Sequence, residues 1–175
     1  MIKYIGMLLV AVSCTAGGFM FSDRIKLRLK QIESFLRFFD YIIKYIDIYK
    51  YPIEKIFKDY YDTDSNGSLK SCGFLDKLKK NGRVKGLYAN PWEISLDECK
   101  NEGLIFLKSE EFKIIKEFGS KLGSGRADAQ TEHMNLYKNK LKKLYDEEYT
   151  KEMNSSKLYK VSGGLLGIFL CILMF

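Results

Sequence analysis

The sequence has little of several residues on which soluble enzymes depend. Its 175 residues include one histidine, one tryptophan, two prolines and four cysteines. The histidine, His133, lies in a charged segment without an HExxH motif or a nucleophile at a recognisable spacing. No two cysteines form a CxxC pair, so a zinc, redox or disulfide site is not indicated for Cys14, Cys72, Cys99 and Cys171. We therefore expect no enzyme and no catalytic, cofactor-binding or metal-binding residue.

Strand-forming patterns are also scarce. Valine and threonine are few, and no segment sustains the alternation of apolar and polar residues that a half-buried strand requires. The glycine-rich segment Gly119–Gly125 lacks the GxxxxGK[ST] pattern and follows no predicted strand, so a phosphate-binding loop is not indicated. The sequence predicts an all-α protein.

Charge is missing from two segments at opposite ends of the chain. The first, 4–22, lies between Lys3 and Asp23, and the second, 161–175, follows Lys160. As a helix the first is about 28 Å long, close to the roughly 30 Å of a bilayer's hydrocarbon core. The second reaches residue 158 if the Lys160 ammonium extends to the lipid headgroups. We predict transmembrane helices at 4–22 and 158–175. The alternatives are a lipoprotein signal ending at Cys14 and a buried core helix at the C-terminus.

Basic residues flank both uncharged segments on the side of the central region. They are Arg24, Lys26, Arg28 and Lys30 after the first segment and Lys157 and Lys160 before the second. The positive-inside rule therefore predicts that residues 23–157 form a cytoplasmic domain and that both termini lie outside. The net charge of +7 would draw this domain to an anionic leaflet. The 29 basic residues are interspersed with 22 acidic ones and form no nucleic-acid-binding motif, so we expect no nucleic-acid partner.

The central region predicts a helical bundle. Its first helix carries one apolar row at heptad spacing, formed by Ile25, Leu29, Ile32, Leu36, Phe39, Ile43 and Ile46. A second row beside it consists of Phe35, Phe38, Ile42, Tyr45 and Tyr49. Two adjacent rows need neighbours on two sides, which a bundle provides and a two-stranded coil does not.

Shorter helices are predicted at 52–61 and 69–80, and a long one from residue 127 to the C-terminus. Asn90 can cap another helix, with Pro91 in its first turn, Glu93 closing a capping box and Trp92 on its apolar face. Ser109 is expected to cap the next helix and Gly123 to end it.

Residues 62–73 follow part of the calcium-loop pattern of the EF-hand. The loop's twelfth position requires a bidentate glutamate, but here it is Gly73, and Lys70 occupies the ninth. A turn-forming connector rich in aspartate, serine, asparagine and glycine is the simpler interpretation. A membrane-anchored adaptor or sensor that binds a small ligand or ion through residues 62–73 remains the alternative function.

Several short motifs occur along the chain in a specific order and spacing. They are Tyr51-Pro52-Ile53, Pro91-Trp92-Glu93-x-x-Leu96, Leu107-Lys108-x-x-Glu111-Phe112, Phe118-Gly119-x-x-Leu122-Gly123, Gln130-x-x-His133 with Leu136, and Lys157-Leu158-Tyr159-Lys160 with Gly163, Gly164 and Gly167. Taken together, these motifs resemble the stage III sporulation protein AB family of endospore-forming bacteria. The chain departs from the family at Arg126, where an acidic residue is usual, and Asp128 is the candidate replacement in the first helical turn.

The resemblance implies a non-enzymatic platform subunit of the channel between mother cell and forespore. The family is similar to the inner-membrane platform protein of type II secretion and type IV pilus systems. That similarity implies three partners: the lipid bilayer, a cytosolic secretion-type ATPase and other membrane subunits of the channel. It also implies location in the mother-cell membrane around the forespore.

Overall fold

The computed structural model describes residues 2–63, 67–82, 90–123 and 127–174. These residues form seven helices and no strand, which confirms the all-α prediction. The helices are α1 (Ile2–Asp47), α2 (Ile53–Thr63), α3 (Ser68–Ser71), α4 (Phe74–Asn81), α5 (Pro91–Asn101), α6 (Ser109–Ser120) and α7 (Ala127–Met174).

The chain divides into two compact units. The terminal unit comprises Met1–Leu29 and Glu147–Phe175, and the central unit comprises Lys30–Asp146. Helices α1 and α7 contribute to both units, whereas α2 to α6 belong to the central unit alone. The predicted domain boundaries, at 4–22, 23–157 and 158–175, stay predictions.

The membrane spans predicted at the two ends are not supported. Within the parts of the chain that the structure describes, no helix combines the length and the apolar character that a bilayer crossing requires. The requirement is strict because a spanning helix needs about 20 consecutive, predominantly apolar residues.

The two apolar rows of α1 form one side of the central unit's core, as predicted for a bundle. The buried members are Ile32, Phe35, Phe38, Phe39, Ile42, Ile43 and Ile46. Leu36 and Tyr45 are partly buried against the same core. Tyr49, expected in the second row, is instead exposed because α1 ends at Asp47, before the row is complete.

The turn after α1 contains a residue in the left-handed region. Lys50 has φ of 50°, and it is the one described non-glycine residue with positive φ. The Tyr51 N–H then donates to the Tyr45 carbonyl at 3.2 Å. Helix α2 starts one residue later than predicted, and the Pro52 carbonyl accepts from the Ile56 N–H at 3.2 Å.

The helix predicted at 69–80 is two helices, α3 and α4. Gly73 interrupts them with φ of +73°, a conformation that side chains with a Cβ rarely adopt. Its N–H donates to the Lys70 carbonyl at 2.9 Å, and its own carbonyl accepts from Lys77 at 3.0 Å. The chain therefore changes direction at Gly73, and α4 packs against α2 and α5.

Two helix starts test the predicted caps. Asn90 caps α5 as expected, because its Oδ1 accepts from the Trp92 N–H at 3.0 Å. Ser109 does not cap α6, since it is the first helical residue and Lys108 precedes it in extended conformation. The Glu111 carboxylate accepts from the Lys108 N–H at 2.8 Å and is buried in doing so.

Candidate functional site

The terminal unit presents large apolar side chains on its surface. Met20 is 62% exposed and Ile172 is 69% exposed. Others with more than a third of their surface exposed are Leu9, Val12, Phe19, Phe21, Leu27, Tyr149, Leu158, Tyr159, Val161, Leu165, Leu166 and Phe169. An apolar surface of this extent is rare on a soluble protein and marks a contact with a partner or a lipid phase.

The buried side chains of the terminal unit are mostly polar. Among those that the structure describes, Ser22, Arg28 and Ser156 are buried together with Leu29. The Ser22 and Ser156 hydroxyl oxygens lie 2.6 Å apart, so one of the two donates to the other. These serines join α1 to α7 within the unit, across a sequence separation of 134.

Arg28 makes a second connection between the same helices. Its side chain is 6% exposed, and its guanidinium pairs with the Glu148 carboxylate and, at 3.0 Å through Nη1, with the Glu152 carboxylate. Glu148 and Glu152 are one helical turn apart on α7, so one arginine meets both. Arg28 lies C-terminal to Ser22, and Glu148 lies N-terminal to Ser156. The two helix segments are therefore antiparallel within the terminal unit.

The central unit is organised around Trp92, whose side chain is fully buried. Its ring stacks on Phe38 at 5.6 Å between centroids and meets the Phe74 ring edge-on at 5.1 Å. The indole Nε1–H donates to the Ile115 carbonyl at 3.0 Å, which satisfies its one polar atom. Trp92 thereby connects α1, α4, α5 and α6 in one core.

Gly119 provides the space for this indole. A Cβ at position 119 would lie 1.9 Å from Trp92 Cδ1, so no other residue fits without displacement. The Gly119 carbonyl also accepts from the Asn90 Nδ2 at 2.7 Å. Asn90 thus caps α5 with one end of its amide and holds the last turn of α6 with the other.

The family model for stage III sporulation protein AB matches residues 3–175, nearly the whole chain. The chain belongs to this family. Its role is therefore related to sporulation, and the family is not a known enzyme family. No curated protein and no solved structure matches this chain.

Two motifs that carried the resemblance to the sporulation family have a structural explanation. The Trp92 and Gly119 positions are the two halves of one contact, and Gly123 adopts φ of +79° three residues beyond α6. Helix α6 therefore ends earlier than the predicted stop at Gly123. Arg126 lies outside the described residues, as does the Asp128 side chain, so the departure from the family pattern there has no structural account.

The loop at 62–73 is described only in part, since Asp64, Ser65 and Asn66 lie outside the described residues. Asp62 is exposed at the end of α2, and the Lys70 ammonium lies 4.4 Å from the centre of the Tyr61 ring. Among described residues, no group of three or more histidine, cysteine or acidic side chains could hold a metal ion.

The described thiols are buried and unreactive, and the histidine is exposed. Burial raises the pKa of the Cys72 thiol and raises that of Cys99 to about 12. The Cys99 thiol is 3.7 Å from the Cys72 carbonyl oxygen, and both side chains are buried. Both therefore remain protonated thiols near neutral pH, a poor state for nucleophilic attack. His133 is exposed on α7, as expected for a surface residue.

A cluster of tyrosines lies where α1 turns into α2. The Tyr45 ring is 4.3 Å from Tyr41 and 5.0 Å from Tyr49 between centroids. The Tyr41 ring also meets the Tyr60 ring of α2 edge-on. The pKa of Tyr41 is raised, chiefly by burial and next by its side-chain hydrogen bond with Tyr45. Heptad analysis placed Tyr45 in a core row, but it gave no indication that tyrosines from two helices stack together.

A cleft between α2 and α4 was also missed by sequence reasoning. Its volume is about 270 Å³, with Phe57, Leu75 and Leu78 on its apolar walls and Glu54, Lys58, Lys79 and Gly82 completing the lining. The lining comes from α2, from α4 and from Gly82 directly after α4, and residues 64–73 separate the two helices in the sequence. The repeated pairing of an apolar residue with a lysine, as in Phe57-Lys58 and Leu78-Lys79, was the available signal.

Proposed function

We propose that this chain is a non-enzymatic, membrane-bound platform subunit of a secretion-like complex between mother cell and forespore. Membership of the sporulation family supports the process. The exposed apolar surface of the terminal unit, together with its buried polar contacts, supports the membrane location and is the single observation that carries the proposal.

The arrangement of the terminal unit suits a lipid environment. Between helices in lipid, hydroxyl groups join neighbours through hydrogen bonds, as Ser22 and Ser156 do here. Side chains that face outward must be apolar, as Leu165, Leu166 and Phe169 are. In water this surface would be a liability for aggregation, whereas against acyl chains it is favourable.

The proposed orientation puts the central unit in the mother-cell cytoplasm and both termini on the other side of the membrane that surrounds the forespore. Arg24, Lys26 and Lys157 are exposed, and their position beside the apolar surface fits the positive-inside rule. In this orientation the central unit is available to a cytosolic secretion-type ATPase, and the terminal unit to other membrane subunits of the channel.

A structural role agrees with the chemistry of the central unit. Its described thiols are buried with raised pKa values, and its histidine is exposed. The buried aromatic core around Trp92 joins four helices into a body that can transmit force from a docked partner. We propose this mechanical coupling in place of catalysis.

Extraction of membranes tests the location. We expect the full-length chain to stay with vesicles after washing with alkaline carbonate and to float with liposomes in a density gradient. Replacing Phe19, Met20, Leu165 and Leu166 by serine should release a large share into the supernatant. Matched replacement of the exposed Leu136 of the central unit should release none. Complete release of the unaltered chain by carbonate would overturn the proposal.

Cross-linking tests the partner. A photoreactive amino acid at Ile48 or Tyr49, both exposed in the central unit, should capture the sporulation ATPase in sporulating cells. The same group at Leu165 should capture lipid or membrane subunits instead. If positions in the central unit capture only membrane subunits, the proposed cytosolic docking is wrong.

A further inference from the structure

The cleft between α2 and α4 is the feature of the central unit that the proposed function leaves unused. Its walls are Phe57, Leu75 and Leu78, and they enclose about 270 Å³. Leu75 and Leu78 are themselves buried in the core, so packing fixes two of the three apolar walls. A preformed apolar cleft of this kind accepts one or two large apolar side chains of a partner as an anchor.

The charged residues around the cleft define what such a partner must carry. Lys58 on α2 and Lys79 on α4 line it from its two sides, against one carboxylate, Glu54. Lys58, Lys79 and Lys80 are exposed, and Lys79 and Lys80 form the last turn of α4. The rim therefore has a net positive charge, which favours carboxylates beside the anchoring side chain.

Lys79 is also held in position. Its ammonium lies 4.0 Å from the centre of the Tyr61 ring, and Lys70 lies over the same ring at 4.4 Å. The Tyr61 hydroxyl donates to the Asp76 carboxylate at 2.8 Å, which fixes the ring that both lysines contact. A lysine fixed in this way loses less side-chain entropy when it pairs with a carboxylate than a free one does.

We propose that this cleft docks an acidic amphipathic helix of a protein partner, with a leucine or phenylalanine inserted between α2 and α4. The parallel is the helix-in-groove mode, in which apolar side chains at helical spacing enter a groove and flanking charges select the partner. The inference rests on the proposed platform function, to which it adds the surface and the chemical class of the docked segment.

Binding of a defined peptide tests the inference. The protein is the full-length chain in lipid nanodiscs, and the probe is a fluorescein-labelled synthetic peptide with leucines at helical spacing and glutamates between them. We expect saturable binding by fluorescence anisotropy that weakens as salt is raised. Peptides with serine in place of the leucines, or lysine in place of the glutamates, should not bind.

Variants of the rim separate this cleft from general electrostatic attraction. The double variant Lys58→Glu/Lys79→Glu should weaken binding at least about tenfold, because it opposes like charges across the contact. The exposed Lys113 on α6 offers a matched control, and Lys113→Glu should leave binding within about twofold. Glu54→Lys should strengthen binding, a gain that a merely destabilised protein would not give.

Three results would overturn the inference: no saturable binding, equal binding of the lysine-substituted peptide, or equal loss in the Lys113→Glu control. Each leaves the platform proposal intact as long as the chain stays with carbonate-washed membranes. Conversely, release from membranes with retained peptide binding would remove the platform proposal and keep the cleft.

Discussion

In the terminal unit the buried side chains that the structure describes include Ser22, Arg28 and Ser156, whereas the central unit buries Trp92 and Phe35. The surfaces differ in the opposite sense. The terminal unit exposes large apolar side chains along both helices, and the central unit exposes mainly charged ones. One chain therefore builds two units with reversed placement of polar and apolar groups.

Under the membrane location that we propose, the difference matches the solvent around each unit. Burial of apolar area stabilises a unit in water, at roughly 25 cal/mol per Å². In lipid this force is missing, and packing with hydrogen bonds between helices must take its place. The Ser22–Ser156 and Arg28–Glu contacts are of the second kind. If loss of an apolar contact and loss of a polar contact destabilised both units to the same extent, this comparison would be wrong.

The largest expected effect is in the central unit. Trp92→Ala removes the residue that joins four helices, together with the indole hydrogen bond to the Ile115 carbonyl, so the free energy of unfolding should fall by about 3–5 kcal/mol. Urea unfolding followed by circular dichroism measures the loss. Membrane association of the same variant should be unchanged, because the terminal unit contains no part of this core. Parallel loss of membrane association would contradict the comparison.

The next effect concerns the buried arginine of the terminal unit. Arg28→Ala leaves Glu148 and Glu152 facing one another, and we expect a loss of about 2–3 kcal/mol, below the range for fully buried pairs because both carboxylates are partly exposed. Thermal unfolding in nanodiscs measures it. Arg37 is the matched control, since it is 61% exposed and lies 3.6 Å from Glu33. Arg37→Ala should cost about 0–1 kcal/mol.

A triple variant sharpens the same test. Arg28→Met with Glu148→Leu and Glu152→Leu removes all three charges at once. If the cost of Arg28→Ala comes from two carboxylates that have lost the guanidinium between them, the triple variant should recover most of the stability. A triple variant as unstable as Arg28→Ala would mean that the pairs themselves hold the helices together.

A smaller effect is expected at Gly119. Gly119→Ala brings a methyl group onto the indole of Trp92, and the overpacking should cost about 1–3 kcal/mol. In a Trp92→Leu background the same substitution should cost clearly less, because the ring it meets is gone. Urea unfolding of the four proteins in this double-mutant cycle gives the coupling. Equal costs in both backgrounds would show that the two positions act independently.

The smallest effect is a dependence on alkaline pH. The raised pKa of Cys99 means that the folded chain keeps a proton that the unfolded chain releases, so stability should fall as pH rises from 9.0 towards about 12. Cys99→Ala should flatten this decline in urea unfolding at a series of pH values, and Cys72→Ala should flatten it as well. If stability declined with pH as steeply in these variants as in the unaltered chain, the decline would not come from the two thiols.

Periodic patterns in the sequence predicted most of the helices correctly. The two apolar rows of α1 and the Asn90 cap are local features, fixed by residues a few positions apart, and the structure confirms them. The predicted start of α6 was wrong. The Glu111 carboxylate accepts from the Lys108 N–H directly, so Ser109 is not needed as a capping residue. The break at Gly73 was missed because the flanking apolar residues continue the helical pattern across it.

The contacts that distinguish the two units could not be predicted. Arg28 and Glu148 are separated by 120 positions, and Ser22 and Ser156 by 134. In the sequence, Arg28 looks like one more of the basic residues that follow the uncharged segment 4–22. Trp92 was correctly predicted on the apolar face of its helix, but its fit against Gly119 depends on how α5 meets α6. Such fits follow from tertiary packing and have no local signature in the sequence.

The left-handed residue at the end of α1 has a practical consequence. Lys50 has a Cβ in a conformation that costs an L-residue about 1–2 kcal/mol, while the nearby tyrosines and the Lys55 ammonium over Tyr51 hold the turn in place. A glycine at position 50 would relieve that penalty. The single substitution Lys50→Gly therefore offers a more stable protein for crystallography or cryo-microscopy, and it leaves every described core residue unchanged.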